Sequence, residues 1–104
     1  MVPLNETVFT LEMITALRAS VVIAAQNYLG SINHCLLTAK VLQHTGVPDI
    51  GWIFGGDHHS NEDDIVRWSG YPKIGRIPQA RHVDKAFVKQ QAQLLTASLH
   101  TLLA

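Results

Sequence analysis

Val21-Val22-Ile23-Ala24-Ala25, then Asn27-Tyr28-Leu29-Gly30 and Ser31-Ile32-Asn33-His34, is the stretch that decides the fold. The first five residues are a short, continuous apolar run with β-branched side chains. Such a run reads as a strand covered on both faces, as in a parallel sheet. Asn27 to Gly30 is then a loop, and Gly30 or Ser31 caps a helix that runs to about Thr45. Gly46 with Val47-Pro48 supplies the stop. Along this helix Ile32, Cys35, Leu36, Ala39 and Leu42 form one apolar stripe, and Leu37 and Val41 add a second. A helix apolar on two sides is buried between layers or against another subunit.

Upstream, Thr10 is a candidate cap for a helix carrying Leu11, Ile14 and Leu17 at helical spacing. Downstream, Ile50 to Phe54 forms a second strand, ended by Gly55-Gly56. Ser60 with Asp63 resembles a capping box for a helix through Ile65, Val66 and Trp68, stopped at Ser69-Gly70-Tyr71-Pro72. Lys73-Ile74-Gly75-Arg76-Ile77 is a short third strand closed by Pro78. Val83 to Leu103 has the spacing of a long terminal helix with Phe87, Leu94, Leu95, Leu99 and Leu102 inside. The order α-β-α-β-α-β-α predicts an α/β fold with a parallel sheet of about three strands and flanking helices. Three strands make a thin sheet with unpaired edges, so the fold looks incomplete.

Composition agrees with one domain over residues 1–104. Hydrophobic residues make up 47% of the chain, and eight Lys plus Arg balance eight Asp plus Glu. No basic surplus points to nucleic acid or to an anionic membrane surface. Charged residues are 15%, against about 25% in ordinary domains, which hints at a surface covered by a partner. The single cysteine, Cys35, excludes an intrachain disulfide and fits a reducing compartment. The amino terminus lacks the pattern of a secretory signal, and no apolar run approaches a membrane span, so the cytoplasm is the expected location.

A phosphate-binding loop needs glycines that let backbone N–H groups approach the phosphates, a Lys, and a Ser or Thr for magnesium. No Gly-x-x-x-x-Gly-Lys-Ser/Thr stretch occurs, and Gly51, Gly55 and Gly56 do not satisfy the dinucleotide spacing. The chain alone is therefore not expected to catalyse a nucleotide-dependent reaction. The Gly30-Ser31-Ile32-Asn33 turn opens a helix at the carboxyl end of a strand, where open α/β sheets bind ligands. Its free N–H groups suit a carboxylate or phosphate. The plainer alternative is that Gly30 serves the turn, Ser31 caps, and Asn33 and His34 only close the loop.

Asp57-His58-His59 near Glu62-Asp63-Asp64 raises a metal site. Adjacent histidines point in different directions and no third ligand lies at helix spacing from them. Acidic residues in a first helical turn favour the helix dipole without any ion. No metal site and no catalytic residue is assigned. Cys35 reads as a core thiol, and Trp52 and Trp68 as packing residues.

The order of these pieces resembles the carboxy-terminal half of the dethiobiotin synthetase family. The matching stretches are Val2-Pro3-Leu4, Val21-Val22-Ile23-Ala24, Tyr28-Leu29-Gly30-Ser31-Ile32-Asn33-His34 with Leu37-Thr38, Gly51-Trp52-Ile53-Phe54, and Gly75-Arg76-Ile77-Pro78. The resemblance implies a P-loop α/β homodimer. Such an enzyme uses ATP and Mg2+ to close a ureido ring from carbon dioxide and 7,8-diaminononanoate in biotin synthesis. The family's phosphate loop, catalytic lysines and magnesium carboxylates belong to its amino-terminal half, so neither ATP nor Mg2+ is expected to bind this chain tightly.

By the same resemblance, Gly30, Ser31 and Asn33 match the helix start that receives the substrate carboxylate across the dimer interface. Ile77, Pro78 and Gln79 match a loop lining the nucleotide base. Gly55 stands where many members place a base-reading Asn, and it lacks that side-chain hydrogen bond. Asn61 falls where some members place a substrate-contacting Tyr. The implied partners are a second copy or a complementing amino-terminal half. A self-associating module that has lost the chemistry is the alternative, and a small metal enzyme built on Asp57, His58 and His59 ranks last.

Overall fold

A computed structural model of the chain describes residues 1–56 and 61–104. The Ser60–Asp63 capping box and the Asp57-His58-His59 group lie outside, or partly outside, those residues. Helix α1 (Thr10–Leu17) leads into β1 (Val21–Gln26), α2 (Ser31–Gln43), β2 (Ile50–Gly55), α3 (Glu62–Ser69), β3 (Lys73–Ile77) and α4 (Lys85–Leu103). The element order matches the sequence reading throughout.

The strands form one parallel sheet in the order β1-β2-β3. In β2, Trp52 and Phe54 face α2 and α3, and they pack with Cys35, Ala39 and Ile65 into the core cluster. Trp52, Phe54 and Ile65 are buried to 1% exposure or less, each contributing about 2 kcal/mol by leaving water. The Trp52 indole N–H, which a core must satisfy, donates to Ser69 Oγ at 2.9 Å.

The opposite face of the sheet carries glycines where α4 crosses it. A Cβ on Gly75 would overlap Leu95 Cδ2, and one on Gly51 would lie 2.7 Å from Ile74 Cδ1 and 3.2 Å from Leu102 Cδ2. Small residues thus let the long helix approach the strands. Asp84 caps α4, its Oδ1 accepting from Phe87 N at 2.8 Å, so the helix begins at Lys85 rather than Val83.

Four expectations need correction. Leu94 is 69% exposed, while Gln91 and Leu95 form the buried line of α4. At 100° per residue Leu94 is turned well away from the line through Gln91, Leu95 and Leu102. Trp68 is exposed on α3, with the Arg67 guanidinium 5.2 Å from its ring centroid, because the helix turns Ile65 and Ser69 inward instead. The β1 run is covered on one face only: Val22, Ala24 and Gln26 are exposed, and β1 is an edge strand among the described residues. Thr10 is the first residue of α1, after a Phe9 N-cap whose N–H is held by Glu12 Oε2 at 2.6 Å.

Candidate functional site

The carboxyl ends of the three strands converge on one pocket of about 470 Å³. Gln26 contributes from β1, Phe54, Gly55 and Gly56 from β2, and Ile77, Pro78 and Gln79 from the end of β3. All four residues matched to the nucleotide base, Gly55, Ile77, Pro78 and Gln79, therefore line the same cavity. Its wall is largely backbone and apolar side chain, a surface suited to a flat ring. Gly55 brings no side-chain donor or acceptor to it.

The second candidate group sits at the start of α2. Gly30 is the N-cap, with φ +91, and no side chain caps the helix. The left-handed value explains why this position is a glycine. Ser31 is the first helical residue and is 1% exposed; its Oγ accepts from Asn61 Nδ2 at 3.3 Å. Asn33 is exposed on the first turn. What this helix start offers an anion is thus Asn33 and first-turn N–H groups other than that of Ser31, which donates to Tyr28 O at 3.0 Å, while the Ser31 hydroxyl is turned toward α3. Beside it the Tyr28 hydroxyl and His34 Nδ1 form a close hydrogen bond.

Between the two groups lies a feature that sequence reasoning missed. Glu62 opens α3 and is 3% exposed. Its Oε1 accepts from Asn27 Nδ2 at 2.7 Å and from Arg76 Nε at 2.9 Å, and its Oε2 accepts from Lys73 Nζ at 2.6 Å. Burial alone would raise the carboxyl's pKa. Hydrogen bonds from Lys73 and Asn27, with the charges of Lys73 and Arg76, outweigh it and hold the group below its ordinary 4.5. Arg76 also donates from its terminal nitrogen to the Gly56 carbonyl. In the sequence, Glu62 looked like an ordinary acid in a first helical turn.

Cys35 is buried, and burial pushes its thiol up, as suits a packing residue rather than a nucleophile. Among the described residues there is no group of three His, Cys, Asp or Glu side chains able to hold a metal ion. No helix among them is long and apolar enough to cross a membrane.

The family model described as AAA domain matches residues 1–86. The chain belongs to this AAA-domain family. It is a family of P-loop folds, and the parallel three-stranded sheet accords with it. Curated relatives carry the name ATP-dependent dethiobiotin synthetase BioD. The protein of Christiangramia forsetii is 36% identical, over 89% of this chain and 45% of its own. That of Rhodopseudomonas palustris is 35% identical over 82% and 41%, and that of Bacillus licheniformis 33% over 89% and 48%. This AAA-domain chain therefore spans less than half the length of the relatives it matches. No solved structure matches it.

Proposed function

We propose that this AAA-domain chain supplies the carboxy-terminal half of a dethiobiotin synthetase-type fold. In that reading its strand-end pocket receives the nucleotide base, through Gly55, Ile77, Pro78 and Gln79. The α2 start, through Gly30, Ser31 and Asn33, receives the carboxylate of 7,8-diaminononanoate. The stripe of Leu37 and Val41 belongs to a subunit surface. ATP and Mg2+ serve the complete site, and its work is ring closure in biotin synthesis.

The observation that carries the reading is the convergence of Gly55, Ile77, Pro78 and Gln79 on one cavity, in a chain whose curated relatives are ATP-dependent. The edge strand supports it further. Among the described residues β1 presents an unpaired edge and the exposed Val22 beside an apolar groove of about 390 Å³ lined by Leu11, Ile14, Leu37 and Val41. An edge of this length invites another strand.

Among the described residues a pocket suits a base and a helix start suits a carboxylate, but no group of three His, Cys, Asp or Glu side chains could hold a magnesium ion. Phosphoryl transfer is almost entirely positioning and charge neutralisation, and the sequence has no phosphate loop to provide them. The test is reconstitution. Mixed with the phosphate-loop half of a relative, the chain is expected to support ADP release dependent on 7,8-diaminononanoate, and to give none by itself. Turnover by the chain alone, or none from a folded, stably associated mixture, would refute the proposal. A stable oligomer that binds neither nucleotide nor diamine would instead favour a self-associating module.

A further inference from the structure

The buried Glu62 carboxylate does something the candidate site has not yet used. Two of its three partners lead directly to the rim of the strand-end pocket. One Arg76 guanidinium bridges Glu62 Oε1 and the Gly56 carbonyl. Its planar fork fixes both ends together, which a flexible lysine ammonium would not do. The other partner, Asn27, directly follows β1, and its backbone N–H donates to Gly55 O at 2.9 Å.

The Gly55-Gly56 turn rests on that same residue. Gly56 has φ +88, and a Cβ there would lie 3.1 Å from Asn27 O and 3.3 Å from Asn27 N. Asn27 is itself held in an orientation that does not satisfy it. Its Oδ1 is buried with no partner among the described residues. Flipping the amide would set that oxygen against the carboxylate, so Glu62 dictates which way Asn27 points.

Burying a carboxylate with two cations is not an efficient source of stability, since well-packed apolar residues often do as well or better. A role in geometry explains it better. We propose that Glu62 is a positioning residue for the strand-end pocket, setting the Gly55-Gly56 turn through Arg76 and the exit of β1 through Asn27. The ends of β1, β2 and β3 that form the rim are thereby fixed by one side chain. The inference rests on the nucleotide reading only for what the pocket receives.

Hydrogen exchange by NMR on the whole chain tests it without a ligand. The reporter is the Asn27 backbone amide, which closes the last rung onto Gly55. The reference is the Trp52 amide, which donates to Pro72 O at 2.9 Å in mid-sheet. Arg76→Gln keeps the Glu62–Lys73 pair and is expected to speed exchange at Asn27 at least tenfold beyond any change at Trp52. Glu62→Gln is expected to do the same and to shift the Asn27 side-chain amide resonances.

Lys73→Met removes a cation from the same carboxylate but touches neither the turn nor Asn27, so it should leave the Asn27-to-Trp52 ratio unchanged. Equal acceleration at both amides in Arg76→Gln, or a Lys73→Met effect as large as that of Arg76→Gln, would overturn the proposal. If Glu62→Gln does not fold, the Arg76 and Lys73 pair decides alone. A failure of the nucleotide reading shows separately, as no shift at Gly55, Ile77 and Gln79 when ATP is added to the chain combined with the phosphate-loop half of a relative.

Discussion

Arg76 Nε donates to the same Glu62 oxygen that Asn27 holds, although Arg76 and Lys73 stand three residues apart on one strand. Strict alternation places such residues on opposite faces. The register explains their convergence: Lys73 pairs with Trp52 and Arg76 with Phe54, with an irregularity between Trp52 and Ile53. The extra residue in β3 restores both cations to the face that Trp52 and Phe54 share, beneath α3.

The first prediction concerns pH. Folded Glu62 titrates below its ordinary 4.5, while in the unfolded chain it returns to that value. Its contribution is therefore fully present above the ordinary pKa and is lost as pH falls through the lower, folded one. At neutral pH Glu62→Gln should cost about 1–3 kcal/mol, since it removes the charge on a buried carboxylate that accepts from a partly buried Arg76 and from an exposed, better-solvated Lys73. The gap between the two proteins should narrow on acidification through the ordinary 4.5 and on through the lower, folded value. Urea denaturation across that range measures it, and a gap that does not change with pH would contradict the assignment.

Much of the fold could be read from local pattern, because each element obeys its own period. The Val21 and Ile50 runs, the helix after Gly30 and the stop at Gly70 all declare themselves in a few adjacent residues. The pocket residues Gly55 and Ile77 to Gln79 were found by likeness, and the sheet brings them together. The Glu62 cluster was hidden because it depends on one inserted residue in β3, and the exposed face of β1 because an apolar run does not say how many layers cover it. Trp68 and Leu94 misled for a related reason: hydrophobicity named them as core while helical phase turned them out.

A second prediction isolates the core polar contact. Ser69→Ala removes the acceptor of the Trp52 indole N–H, which has no access to water at 0% exposure. The orphaned donor should cost about 1–3 kcal/mol. Thermal unfolding measures the loss, and the Trp52 indole proton resonance should shift with it. A stability within error of the parent would mean that the bond carries no weight.

The closeness of α4 gives a third. Gly75→Val forces branched carbons into the space of Leu95, so either the helix retreats or the side chain leaves its well. Overpacking of this kind costs about 1–3 kcal/mol. Loss of protection in the Gln91 and Leu95 amides, with β1 less affected, is the expected exchange pattern.

At the α2 start, Asn33→Asp separates binding from folding. Asn33 is exposed in the first turn after Gly30, where a negative charge favours the helix by about 0.3–1 kcal/mol. The same charge should repel a substrate carboxylate there. In the reconstituted enzyme the variant is expected to be as stable as the parent or slightly more so, with a several-fold higher KM for 7,8-diaminononanoate. An unchanged KM would remove this helix start from the site. The buried Ser31 cannot serve the same purpose, since a larger residue there would disturb its packing against Asn61.

The last prediction addresses assembly. Leu37 is 57% exposed and Val41 38%, and both border the apolar groove beside Val22. An exposed leucine replaced by aspartate changes the stability of an isolated subunit by only about 0.5 kcal/mol. Within an interface the same change buries an unpaired charge and costs several times that. If the proposed subunit surface lies here, Leu37→Asp abolishes self-association, seen as a monomer in sedimentation velocity, while the isolated subunit's circular dichroism is retained. The contrast between the two measurements is what identifies a contact surface: an oligomer that survives the substitution places its interface elsewhere, and loss of the folded spectrum places Leu37 in the core.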